Sequence, residues 1–168
     1  MNFFNNLKIK KNNFLQKENI YYLLFITILF LLDRLSKIII ISKYNDTSYF
    51  LNDFLNFNLI WNQGIGFGLL SFSSNLLYNS ITVLIGIVIC VLIYFSLNSK
   101  GGEKIIFLTI VGGALGNFYD RIIYKAVPDF IDLHYHNFHW FTFNLADIFI
   151  TLGIIAYILG DLILKKNE

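Results

Sequence analysis

Apart from Asp161 near the end of the last apolar segment, four aspartates of this chain lie within or beside strongly apolar segments, namely Asp33, Asp120, Asp129 and Asp147. An acid in the middle of a membrane costs on the order of 3 kcal/mol on insertion scales, so such positions need a chemical reason. Two carboxyl groups that are held close together cannot both ionise, and they therefore share one proton. Such a pair can activate water against a peptide carbonyl, which is the chemistry of aspartic proteases.

Two of the four aspartates have a basic neighbour that indicates a supporting role. Asp33 is followed four residues later by Lys37, which is the favoured order for an ion pair within a helix. Asp120 precedes Arg121, which indicates a charge-paired support role, although the sequence also offers Asp120 as a rival third acid. The other two aspartates are therefore the better candidates for the hydrolytic pair.

The elements that position these acids are predicted to be membrane helices. Of the 168 residues, 56% are hydrophobic and only 14% are charged, which argues against a soluble globular domain. Apolar segments of the length that crosses a bilayer occur at residues 20–41, 76–97, 105–123 and 141–164. We predict an all-α membrane protein of four transmembrane helices, with residues 1–168 forming one polytopic domain. Around the helices we expect a cytoplasmic leader at 1–19, an extracytoplasmic β-sheet element at 42–75 and an extracytoplasmic loop at 124–140.

The distribution of lysines predicts the orientation of these helices. Most lysines lie in the leader, between the second and third apolar segments, or after the fourth, whereas the two other connections contain only Lys43 and Lys125. Because basic residues stay on the cytoplasmic side, both termini are expected in the cytoplasm. With a rise of about 1.5 Å per residue, Asp33, Asp120 and Asp147 then reach one level near the outer leaflet.

Polar residues on the third and fourth apolar segments are placed to face protein rather than lipid. Asn117 and Arg121 follow Gly113 at intervals of four, so they share a helical face on which a small residue lets a neighbouring helix approach. Asn144 and Asp147 stand together at the head of the fourth segment. We therefore expect these side chains to meet between helices.

The outer segment 49–72 mixes aromatic and β-branched residues with Asn and Gly, as strands do. Its alternating glycines, Gly64, Gly66 and Gly68, have no lysine after them, so a phosphate-binding loop is not indicated. A bulged or closely approached strand fits better. Asn62 is its obvious polar group for contacting a ligand.

Five motifs occur in one order along the chain: "DRLSK" at 33–37, "NQGIGFG" at 62–68, "GGALGNFYDR" at 112–121, "VPDF" at 127–130 and "FNLAD" at 143–147. Together they resemble the lipoprotein signal peptidase family, also called signal peptidase II. Any one of them alone would be unspecific, whereas the ordered set is specific. The resemblance covers nearly everything after the first 20 residues.

The resemblance implies an aspartic endopeptidase without a metal or other cofactor, spanning the bacterial cytoplasmic (inner) membrane several times. Such an enzyme removes the signal peptide from prolipoproteins, cutting on the N-terminal side of a cysteine that carries diacylglycerol. Its partners would be that prolipoprotein and membrane lipid, with no nucleic acid, and we expect a monomer. The scissile bond would lie near the outer leaflet, where lysine distribution and helical rise also place the acids.

Carried over position by position, the resemblance also implies residue roles. The catalytic pair would be Asp129 and Asp147. The residues that bind substrate and orient the pair would be Asn62, Gly64, Asn117, Arg121 and Asn144. The supporting residues would be Asp33, Lys37 and Asp120.

Two alternatives remain open on the residues alone. The first is a zinc-dependent membrane hydrolase that uses His134, His136 and His139, which are spaced like metal ligands. Alternation along a strand would put the first two on one side and His139 on the other, which argues against it. The second is a small polytopic transporter, which could also need buried acids, although the inverted repeats and broken helices of transporters are not visible here.

Overall fold

The computed structural model describes residues 17–44, 47–65, 70–71 and 75–166. The helices in this part of the chain are α1 (Lys17–Tyr44), α2 (Asn75–Asn98), α3 (Gly101–Tyr124) and α4 (Leu145–Lys166). The strands are β1 (Tyr49–Asn52), β2 (Leu55–Asn62), β3 (Gly64–Ile65), β4 (Leu70–Ser71), β5 (Val127–Tyr135) and β6 (Phe138–Phe143). The predicted leader lies almost wholly outside the described residues.

Helices α2, α3 and α4 are long and apolar enough to cross a membrane, over Leu76–Asn98, Gly101–Tyr124 and Leu145–Ile163. Helix α1 is not among the spans found in the described residues. Its apolar run is interrupted by Asp33, Arg34 and Lys37. Three of the four predicted spans are thus found by length and composition.

The antiparallel sheet has the strand order β1-β2-β5-β6. The prediction of a loop at 124–140 is wrong, because β5 and the start of β6 occupy that segment. Alternation of buried and half-exposed positions from Phe130 to His134 lets β5 pack one face inward while it pairs with β2 and β6. The last helix begins at Leu145 rather than at the predicted 141, because residues up to Phe143 belong to β6.

Helix α3 lies between its neighbours because its glycines allow close approach. A Cβ atom on Gly112 would come within 2.9 Å of the Leu29 side chain of α1. A Cβ atom on Gly116 would collide with the carboxylate of Asp33, and it would also touch Ala146 of α4. The small residues of α3 therefore bring the polar groups of α1 and α4 to the same place.

Candidate active site

Asp129 and Asp147 are brought together by one residue, Asn144, which is fully buried. The Asn144 side-chain Nδ2 donates a hydrogen bond of 2.6 Å to Oδ1 of Asp129. Its backbone N–H donates to Oδ2 of Asp147 at 3.1 Å, and the backbone N–H of Asp147 donates back to Oδ1 of Asn144 at 3.1 Å. This reciprocal pair is a capping box at the start of α4, with Asn144 as the N-cap. One residue thus fixes the start of the helix and both carboxyl groups.

Each aspartate also accepts a hydrogen bond from a second asparagine. Nδ2 of Asn62, at the end of β2, donates to Oδ2 of Asp129 at 2.8 Å. The other end of the Asn62 amide accepts a hydrogen bond from the backbone N–H of Gly64 at 2.9 Å, which fixes the orientation of that amide. Nδ2 of Asn117, on α3, donates to Oδ1 of Asp147 at 2.8 Å. Both carboxyl groups are therefore held at both oxygens.

Asp129 lies on β5, outside the helices, and only 4% of its surface is exposed. Burial and, second, the nearby charge of Asp147 raise the pKa of Asp129 from 3.8 to about 7. The hydrogen bonds from Asn62 and Asn144 act in the opposite direction, because they stabilise the carboxylate. A substantial fraction of Asp129 is therefore protonated at neutral pH.

Behind the two acids, the ammonium group of Lys37 joins α1 to α3. Its Nζ donates to Oδ2 of Asp33 at 2.8 Å, to Oδ1 of Asn117 at 2.8 Å and to Oδ2 of Asp120 at 2.7 Å. The ion pair expected from the four-residue spacing of Asp33 and Lys37 is therefore present. Asp33, Lys37 and Asp120 are all fully buried. The second oxygen of Asp33 accepts the backbone N–H of Ala146, which ties the network to the first turn of α4.

The expected pairing of Asp120 with Arg121 is wrong. Asp120 pairs with Lys37 and with the guanidinium of Arg34, which also lies 4.8 Å from the ring centre of Tyr119. Consecutive residues of a helix point about 100° apart, so Asp120 and Arg121 face different neighbours. Arg34 was missed as a site residue, although a second cation at the depth of Asp33 was a signal that could have found it.

Arg121 points instead toward the outer segment. Its guanidinium donates to the backbone carbonyl of Gly64 at 3.4 Å and to that of Asn117 at 3.2 Å. It is 8% exposed, and the ion pairs of the described residues do not include it. Within the part of the chain that the structure describes, the charge of Arg121 is therefore not neutralised by a carboxylate in direct contact.

The site contains one more carboxyl group than it has cations. Its cations are Arg34, Lys37 and Arg121, and its carboxyl groups are Asp33, Asp120, Asp129 and Asp147. Buried charges are costly unless they are balanced, so one of the four acids should hold a proton. Asp33 and Asp120 are ion-paired directly, so the charge balance favours the proton on the pair formed by Asp129 and Asp147. A pair of carboxyl groups with one proton can activate water and polarise a carbonyl at the same time.

The three histidines lie elsewhere on the sheet. The register of β5 and β6 shifts between Leu133 and His134, so His134 stands opposite His139 and the two rings stack with centres 5.3 Å apart. The expectation that His139 faces away is therefore wrong. His139 bonds to Oδ2 of Asp132 at 2.7 Å, while His136 occupies a left-handed position in the hairpin turn with φ of 52°. Within the described ranges, no three His, Cys, Asp or Glu side chains form a group able to hold a metal ion.

The sequence profile of the family described as "Signal peptidase (SPase) II" matches residues 25–163, which contain all of the site residues. The chain belongs to the signal peptidase II family. It is therefore a peptidase, and neither the zinc hydrolase nor the transporter is favoured.

Individual relatives agree with this family. A protein named lipoprotein signal peptidase from Pelagibacter ubique (strain HTCC1062) is 46% identical over 160 residues, covering 93% of this chain and 96% of the relative. Another with the same name, from Anaplasma phagocytophilum (strain HZ), is 37% identical over 151 residues, covering 87% of this chain and 94% of the relative.

A solved structure described as a bacterial membrane enzyme, determined by the in meso method at 2.3 Å resolution, has a similar fold. The TM-score is 0.73 at 28% sequence identity, over 88% of this chain and 91% of the other. Together with the apolar helices, this similarity indicates a membrane protein.

Proposed function

We propose that this signal peptidase II family member removes signal peptides from lipoproteins by an aspartic mechanism in which Asp129 and Asp147 are the catalytic pair. The observation that carries the proposal is the hydrogen bonding of both carboxyl groups to Asn144. Strand β5 supplies Asp129 and helix α4 supplies Asp147, and the two side chains meet at Asn144. The relatives named lipoprotein signal peptidase support the substrate class.

The two acids are suited to different halves of the reaction. Asp147 lies in the first turn of α4, where a backbone N–H and the positive end of the helix dipole favour a carboxylate. It therefore takes the proton from the attacking water. Asp129, whose pKa is about 7, keeps its proton and donates a hydrogen bond to the scissile carbonyl. The proton on Asp129 then stabilises the charge that develops on the carbonyl oxygen.

The polar residues around the pair divide into two groups. The amides of Asn62, Asn117 and Asn144 are committed to the carboxyl groups, so their part is to orient the acids. Arg121 has no carboxylate partner among its described contacts and bonds the Gly64 carbonyl, so it is placed to bind the backbone of a substrate beside Gly64. Asp33, Lys37 and Asp120 support the pair from behind.

We further propose that cleavage occurs on the N-terminal side of a cysteine that carries diacylglycerol. The acyl chains of such a cysteine stay in the bilayer, so its scissile bond can meet water only near the headgroups. The acids lie where helix α3 ends and the sheet begins, since Tyr124 is followed by β5 three residues later and β6 runs into α4. This position suits a bond at the membrane surface.

The proposed location is the bacterial cytoplasmic membrane, with α1 as the fourth span, both termini in the cytoplasm and the sheet on the outer side. The distribution of lysines supports this orientation. So do the aromatic residues of β6, because Phe138 is 62% exposed and Trp140 is 55% exposed. Aromatic side chains of this kind favour a membrane interface over water. Buried charges on α1 face the other helices rather than lipid, as a spanning helix requires.

The test is cleavage of a prolipoprotein in two forms, one with the diacylglyceryl cysteine and one in which that cysteine is replaced by serine. Mass spectrometry of the products should show cleavage of the lipidated form immediately before the cysteine, with the serine form cut at least 100-fold more slowly. Equal cleavage of both forms would contradict the proposed lipid dependence. Cleavage at another bond would contradict the proposed site of cutting.

A further inference from the structure

Lys37 lies at the centre of the buried network and does not touch either proposed catalytic acid directly. Its three hydrogen bonds go to Asp33, Asn117 and Asp120, and none of its surface is exposed. We propose that Lys37 is a positioning residue whose charge keeps a single proton on the Asp129 and Asp147 pair. This inference rests on the proposed function, because it concerns the ionisation of the proposed catalytic acids.

The first part of the effect is geometric and acts through Asn117. Oδ1 of Asn117 accepts a hydrogen bond from the Lys37 ammonium, and Nδ2 of the same amide donates to Asp147. Turning the amide over would press its NH₂ group against the ammonium and its oxygen against the Asp147 carboxylate. Both contacts would be repulsive, so Lys37 fixes the one orientation in which Asn117 donates to Asp147.

The second part of the effect of Lys37 on the pair is electrostatic. Helix α4 and strand β5 supply the pair itself. The charged and titratable groups around it are Asp33, Arg34 and Lys37 from α1, Tyr78 from α2, and Tyr119, Asp120, Arg121 and Tyr124 from α3. With three cations and four acids, the site is neutral when the catalytic pair holds one proton. Removing the charge of Lys37 would leave one negative charge in excess, which a second proton on the pair would neutralise.

The reverse change should have the reverse effect. Removing the negative charge of Asp120 leaves one positive charge in excess, which favours loss of the remaining proton from the pair. Either change moves the site away from the singly protonated state that the chemistry needs. Removing both charges restores the balance, so the double variant should again hold one proton at the original pH.

The experiment is the pH dependence of kcat/KM with a lipidated prolipoprotein in detergent. The variants are Lys37→Met, Asp120→Asn and the double variant Lys37→Met/Asp120→Asn. Lys104→Met is the matched control, since it removes the same charge about 24 Å along α3 from Asp120. Lys37→Met should shift the bell-shaped pH profile of kcat/KM to higher pH by about one unit. Asp120→Asn should shift it to lower pH by a similar amount. The double variant should peak within about 0.3 of a pH unit of wild type, as should the control.

A purely structural role for Lys37 would lower kcat/KM at all pH values without moving the profile, and that result would overturn the inference. If Lys37→Met does not fold, the Asp120→Asn variant decides. A shift of its pH profile to lower pH supports the inference, and a profile at the wild-type position contradicts it. The proposed function is tested separately by the catalytic pair. If Asn substitutions of that pair abolish turnover while the profile of Lys37→Met is unmoved, the function stands and the role of Lys37 does not.

Discussion

The backbone N–H groups of Asn144 and Asp147 each donate to the other residue's side chain, at 3.1 Å in both directions. This reciprocal contact begins helix α4 and at the same time holds one proposed catalytic acid. It also leaves Nδ2 of Asn144 free to donate to the other acid, Asp129. The Asn144 side chain therefore both caps the helix and positions the proposed catalytic pair, and substitutions can separate these two roles.

Asn144→Ser should separate capping from catalysis. A serine hydroxyl can still accept from the backbone N–H of Asp147, so helix α4 stays capped. Serine has no second branch at the position of Nδ2, so the hydrogen bond to Asp129 is lost. We expect a free energy of unfolding within about 0.5 kcal/mol of the wild-type value, and a kcat lowered by about two orders of magnitude. Asn144→Ala should lose both, with about 1 kcal/mol less stability. Thermal unfolding and kcat measured on the same preparations check this, and unchanged kcat in Asn144→Ser would contradict it.

The pH dependence of the wild-type enzyme follows from the raised pKa of Asp129. In the proposed mechanism Asp129 is the protonated member of the pair, so activity should be lost as pH rises through its pKa of about 7. The alkaline limb of kcat/KM should therefore fall near pH 7, and the limb should be assigned to the pair because the two acids titrate together. A profile that stays flat from pH 6 to 9 would show that no proton with this pKa is required.

The close packing of α3 against α1 can be tested with one methyl group. Gly116→Ala would place a Cβ against the carboxylate of Asp33, which also bonds Lys37 and Ala146. We expect a loss of stability of about 2 kcal/mol or more, since overpacking a buried contact costs about 1 to 3 kcal/mol. Gly160→Ala is the matched control, because a Cβ there has no neighbour within 4 Å and alanine is the better helix former. Equal thermal stability of the two variants would contradict the packing described here.

The proposed orientation of the sheet predicts that Trp140 contacts lipid headgroups. The chain contains two tryptophans, so Trp61→Phe leaves Trp140 as the single tryptophan, which can be excited selectively over the tyrosines. In lipid vesicles, its fluorescence should be quenched strongly by lipids brominated near the headgroup and weakly by iodide in the water. Strong quenching by iodide, with no effect of the brominated lipids, would show that this end of the sheet stands in water.

Much of this site could be predicted from residue types and their spacing. The spacing of Asp33 and Lys37 predicted their ion pair because a helix places residues four apart on one face. The start of α4 was predicted four residues too early, although Asn144 and Asp147 carry a capping signal, an acceptor three residues before an acid. The family profile then confirmed the peptidase that the five ordered motifs indicated.

Other features depended on pairing between distant segments, which spacing does not encode. The strand from Val127 to Tyr135 pairs with β2 and β6, whereas a loop was predicted at 124–140. The partner of Asp120 was misassigned because Arg34 lies 86 residues away along the chain. The stacking of His134 on His139 required a register shift that simple alternation along a strand does not anticipate.

The most direct test of the catalytic pair compares three isosteric variants, Asp129→Asn, Asp147→Asn and Asp120→Asn. Turnover of a lipidated prolipoprotein should fall by at least three orders of magnitude in the first two, while thermal unfolding shows that they remain folded. Asp120→Asn should retain measurable turnover and lose mainly stability or expression. Full activity in Asp129→Asn or in Asp147→Asn would contradict the account.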